Sequence, residues 1–142
     1  MKSNPVLIGV LIGLVVPIVI LAPAFFWGPL ASLLDEGKVY FLLPALALLL
    51  VPGGFAGHVA ARLAPDRQAA WRFVTGLFFG SSVAAAVLLW RGAGDVDILQ
   101  RFLIAVFGGP ILAGFWMWLG AILGLSTGYA RKEKHEPEPA NP

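Results

Sequence analysis

The chain reads as four long apolar runs separated by short polar gaps. The runs extend from about Pro5 to Trp27, Val39 to Ala61, Ala69 to Trp90 and Phe102 to Tyr129. Each is close to the roughly 20 residues that a helix needs to cross a hydrocarbon core. None alternates polar with apolar positions, which argues against membrane-spanning strands. The pattern predicts an all-α fold. Residues 1–131 are expected to form a four-transmembrane-helix bundle, and residues 132–142 a disordered tail.

The polar gaps give the orientation, because Lys and Arg in short flanks are retained on the cytoplasmic side. One side of the expected bundle holds Lys2, Arg62, Arg67, Arg72, Arg131, Lys132 and Lys134. The other holds Lys38, Arg91 and Arg101. Both termini are therefore expected in the cytoplasm, with Arg62, Arg67, Arg72, Arg131 and Lys132 as topology anchors. Trp27, Tyr40, Trp71, Trp90 and Tyr129 fall at span ends, where amphipathic rings favour the headgroup layer.

Composition agrees. Of 142 residues, 58% are hydrophobic and 13% charged, whereas soluble domains carry about 25% charged residues. The mean hydropathy is +0.83. These values describe a multi-pass integral membrane protein whose first partner is the bilayer. The net charge of +2 reflects the topology signals and implies no nucleic-acid partner. Cys is absent, which excludes disulfides, thiolate metal sites and cysteine nucleophiles.

Local chemistry refines the ends of the runs. Ala22-Pro23-Ala24 has the small-x-small form of a signal cleavage site. The apolar stretch before it is about 17 residues, longer than a signal sequence's apolar region, so the first run is kept as a span. Pro65-Asp66 ends the second helix and offers Asp66 as N-cap of the third. Asp97-Ile98-Leu99-Gln100 has the spacing of a capping box. Leu30, Leu33 and Leu34 suit one turn of helix between Gly28 and Gly37. The ending KEKHEPEPANP is charged and proline-rich, a composition that stays disordered.

Small residues recur four apart on every run. They are Gly9 and Gly13; Gly53, Gly57 and Ala61; Gly76, Gly80 and Ala84; and Gly120, Gly124 and Gly128, continued through Ala113 and Gly109 with Met117 in the gap. In lipid such faces let helix backbones approach closely. Spacing leaves open whether the partner is another helix of the chain or another subunit. Pro17, Pro44, Pro52 and Pro110 are each expected to bend their helices.

Chemistry-bearing groups are scarce. Apart from groups at the span ends, His58 is the one ionisable residue within the runs, only four residues from Arg62. At that depth it can donate to a neighbouring carbonyl or to a headgroup phosphate. Imidazole is also an axial tetrapyrrole ligand, and Gly54 and Gly57 would leave room for a flat macrocycle beside the backbone. Gly54-x-x-x-His58 resembles the small-x-x-x-His arrangement of chlorophyll-type antenna polypeptides. Thr75, Ser81, Ser82, Ser126 and Thr127 are expected to bond back to their own helices. No hydrolase, metalloprotease or phosphate-loop motif is present, so an enzyme and a metal site are not expected.

The stretch GGFAGHVAARLAPDRQAAWRFVTGLFFGSS, residues 53–82, resembles small glycine-rich four-helix membrane proteins of bacteria and archaea, of unknown function. In those a Gly-Gly-x-x-Ala-Gly-like second span, a short basic loop and a third span with Gly-x-x-x-Gly follow one another. Here Gly-Gly-Phe-Ala-Gly is one residue shorter. The resemblance implies the architecture and a prokaryotic cytoplasmic membrane, and it carries no activity. The expectation is a structural or accessory subunit, self-associating or bound to other membrane subunits. The alternatives are a pigment- or haem-binding subunit using His58, and a small oligomeric channel or transporter.

Overall fold

The computed structural model describes residues 4–26 and 42–133. Among these residues the chain is entirely helical. The helices are α1, Pro5–Phe26; α2, Leu42–Leu63; α3, Arg67–Gly92; and α4, residues 98–133. The last is one rod made of Ile98–Gly109, a π-turn at Pro110–Gly114, and Phe115–Glu133. Two stretches are long and apolar enough to cross a membrane, α3 and Ile98–Arg131 of α4, each with mean hydropathy 1.9. Pro5–Leu21 and Ala47–Leu63 are apolar but shorter.

The helix ends follow local chemistry. Pro65 lies between α2 and α3, and the Asp66 carboxylate accepts the Ala69 amide at 2.5 Å, as the sequence suggests. Asp97 behaves differently. It stands at the start of α4 without a side-chain cap bond, and its carbonyl accepts the Arg101 amide at 2.9 Å. The capping box does not form there. Arg101 closes the turn instead, donating from its guanidinium to the Gly94 carbonyl and lying 5.8 Å from the centre of the Trp90 ring. Gly94 has φ of 60°, a conformation that costs little only without a Cβ.

Helix α4 continues through Lys132 and Glu133, two residues into the segment expected as tail. Lys and Glu are good helix formers, and the first proline beyond is Pro137. The expected turn between Gly28 and Gly37, the aromatic residues Trp27 and Tyr40, and the rest of the tail lie outside the described residues.

The prolines act unequally. Helix α1 runs through Pro17 and α2 through Pro52 without interruption. Pro44 falls in the first described turn of α2. Only Pro110 coincides with a change of helix type: the Phe115 amide reaches back five residues to the Pro110 carbonyl.

Helix α1 packs on α3, α3 on α4, and α4 on α2, whereas the consecutive helices α1 and α2 hardly touch. The first and last of these contacts are parallel. Along α1, Gly9 lies beside Phe73 and Leu77, and Gly13 beside Leu77 and Ser81. Along α2, Gly53 lies beside Met117 and Gly57 beside Ala121. Leu49, Val74, Leu77, Met117 and Ala121 are fully buried core residues. Outer faces expose Leu11, Val19, Val51, Phe55, Phe79, Phe107 and Ile111.

Candidate functional site

Every glycine of the expected packing faces lies in an interface within the chain. A Cβ at Gly9 or Gly13 would strike the α3 backbone, and one at Gly76 or Gly80 would strike Val6 or Val10 of α1. A Cβ at Gly53 or Gly57 would meet the carbonyls of Met117 or Ala121. Gly120 and Gly124 are closed in the same way by Leu50 and Gly54, and Gly128 by Ala61 and His58. At each of these positions the missing side chain is what lets the two backbones come into contact.

Gly109 has a different neighbour. It lies against the Ser82 carbonyl and Ala86 of α3, whereas Gly120, Gly124 and Gly128 face α2. The stripe that reads as continuous along α4 therefore divides at the π-turn, above which the helix serves α3 and below which it serves α2.

His58 is half-buried where α2 meets α4. Its Nδ1 stands 3.4 Å from Thr127 Oγ1, which also donates to the Gly124 carbonyl at 2.9 Å. The room that Gly54 and Gly57 offer a macrocycle in the sequence is occupied. Gly57 is pressed on Ala121, and a Cβ at Gly54 would stand 3.5 Å from the Gly120 carbonyl. The physical reason is the groove itself: the absence of side chains that would admit a cofactor also admits helix α4.

The other serine and threonine hydroxyls among the described residues bond within their own helices. Ser81 Oγ donates to the Leu77 carbonyl at 2.8 Å, Ser82 Oγ to Phe78 at 2.7 Å, and Thr75 Oγ1 to Trp71 at 3.0 Å. Ser126 Oγ donates to Leu123 at 2.8 Å. Among the described residues, no group of three His, Asp or Glu side chains gathers as a metal site.

The arginines expected as topology anchors share one end of the molecule. Parallel α2 and α4 bring Arg62 and Arg131 to that end, and the turn at 64–66 adds Arg67 and Arg72 at the start of α3. All four are exposed. The Arg67 guanidinium lies 5.8 Å from the Tyr129 ring centre, a cation–π distance. Lys132 is helical, and its side chain lies outside the described residues. Arg101 and Trp90 mark the opposite end.

Three contributors escape a reading by spacing. Gly114 lies beneath Ser82 Oγ and the Phe78 ring, but it stands outside the four-residue period of its helix. Thr127 reads as bonded only to its own helix, and its approach to His58 needs the α2–α4 register. Arg101 reads as a flank charge, and its turn contact is legible only once Gly94 is seen at positive φ.

No family model, curated protein or solved structure matches the chain.

Proposed function

We propose that the protein is a four-span integral membrane protein with both termini in the cytoplasm, serving as a structural or accessory subunit of a larger membrane complex. The observation that carries this reading is the character of the interior. Among the described residues, the buried polar side chains are Ser81 and Ser82, and both hydroxyls are spent on their own helix. Ionisable groups inside a membrane mark ion paths and proton relays, and this interior offers neither. The clustering of Arg62, Arg67, Arg72 and Arg131 at one end supports the orientation.

The glycine faces are consumed inside the chain, so they are not the surface through which another subunit binds. That contact falls to the outer apolar faces, such as Val51 and Phe55 of α2 or Phe107 and Ile111 of α4. The test is purification of the native protein in mild detergent, with the particle mass measured and its components identified. A stoichiometric membrane partner is expected. A lone 15.1 kDa chain without partner would overturn the reading.

A further inference from the structure

The two parallel helix interfaces are built from residues that recur at one separation in the chain. Gly76 and Gly80 of α3 follow Gly9 and Gly13 of α1 by 67 residues (76 less 9), as Val83 follows Val16 and Leu88 follows Leu21. Gly120 and Gly124 of α4 follow Gly53 and Gly57 of α2 by the same 67.

The contacts repeat with it. A Cβ at Gly9 would meet Phe73 and Leu77, and one at Gly76 would meet their counterparts Val6 and Val10. Gly53 faces Met117 while Gly120 faces Leu50, and Gly57 faces Ala121 while Gly124 faces Gly54. Such reciprocity, i against j and j against i, is the signature of a two-fold interface.

Any two parallel glycine-faced helices produce a local two-fold. They do not require the spacing between stripes to be equal in both hairpins. Here it is: 44 residues separate Gly9 from Gly53 and Gly76 from Gly120.

A second set of matches sits one residue short. Phe41, Pro44, Leu46 and Ala47 recur as Phe107, Pro110, Leu112 and Ala113, at a separation of 66. The separation changes to 67 between Ala113 and Gly120, and the π-turn occupies Pro110–Gly114. A π-turn bonds i to i+5 and so admits one residue more than an α-turn. The extra residue of the second half is absorbed there, and the glycines beyond it keep their register.

We infer that residues 5–63 and 72–130 are two copies of one helix-hairpin unit, and that the chain is a tandem fusion in which each half's partner is a second copy of itself. The inference rests on the four-span reading, in which both hairpins cross in the same sense, as parallel repeats do about axes along the membrane normal. The two hairpins also differ in their packing. In the second, Gly109 and Gly114 close α4 onto Ser82. At the matching positions the first has Leu43 and Leu48, with Val15 for Ser82. Its helices hardly touch and flank the closed hairpin. His58 and Thr127 are further departures, matched by Leu125 and Ala60, so the polar contact between α2 and α4 has no counterpart in the other interface.

The test uses the full chain, whose lack of cysteine leaves an engineered pair as the sole source of a disulfide. Val10→Cys with Leu77→Cys lies on the local two-fold and is expected to cross-link. In a second chain, residues 6–21 are replaced by a copy of residues 73–88, with the same cysteine pair. Equivalent units predict cross-linking at the same positions, about ten-fold above a Leu11→Cys, Leu77→Cys control that points outward. A transplanted chain that resists carbonate extraction but cross-links out of register, or not at all, overturns the inference. If the transplant is degraded, Gly53→Leu and Gly120→Leu decide. Equal loss of a Leu50→Cys, Met117→Cys cross-link supports equivalence, and unequal loss overturns it. A parent chain released by carbonate refutes the four-span reading instead.

Discussion

Gly57 of α2 lies so close to the Ala121 carbonyl of α4 that no side chain fits between the two backbones. Gly124 stands in the same relation to Gly54. Leucine at either position must push the helices apart, and overpacking of this kind costs about 1–3 kcal/mol. Gly57→Leu and Gly124→Leu are expected to lower the midpoint of SDS-induced unfolding in mixed micelles. Phe55→Leu, at a side chain 72% exposed, is expected to stay within about 0.5 kcal/mol of the parent.

The turn between α3 and α4 depends on Gly94, whose φ of 60° costs a residue with a Cβ about 1–2 kcal/mol. Gly94→Ala is expected to destabilise the chain by that amount in the same assay, and Gly94→Asn by less, because Asn tolerates the left-handed region. Equal stability of all three would show that the turn is not held as described.

His58 and Thr127 approach at 3.4 Å across the α2–α4 groove. Interhelical polar contacts in membranes couple by about 0.6 kcal/mol on average. A double-mutant cycle with His58→Ala and Thr127→Ala should give a coupling of that size. Coupling well above that average would give His58 a larger structural part than its geometry implies.

Ser81 and Ser82 donate to carbonyls one turn back. Ser81→Ala is expected to cost about 1 kcal/mol or less, since the carbonyl keeps its backbone bond. Ser82→Leu would be worse, because Gly114 lies directly over the hydroxyl. The measurement is again the unfolding midpoint, with Ser82→Ala as the conservative control.

The helices were legible in the chain because hydropathy, proline and Asp66 point to the same boundaries. Asp66 caps α3 as its position after Pro65 suggests, whereas Asp97 has the same apparent licence and leaves its side chain unused. Arg101 closes that turn from within the next helix, a contact invisible to a three-residue spacing rule. Glycine faces were legible as faces, but their partners were not. Four-residue spacing says that a backbone approaches closely, and only the register of α1 on α3 and of α2 on α4 says which one. The space beside His58 is the clearest case: bare glycine surface is equally an opening for a ligand and a seat for a helix, and here α4 occupies it.

The sidedness of the connections tests the four-span topology most directly. Single cysteines placed at Asn4, Asp66 and Asp95 of the cysteine-free chain are labelled with a membrane-impermeant maleimide in intact cells and in opened membranes. Four crossings with parallel pairs predict that Asp95→Cys is labelled from outside, and that Asn4→Cys and Asp66→Cys are labelled only after opening. Labelling of Asp66→Cys and Asp95→Cys from the same side would contradict the account.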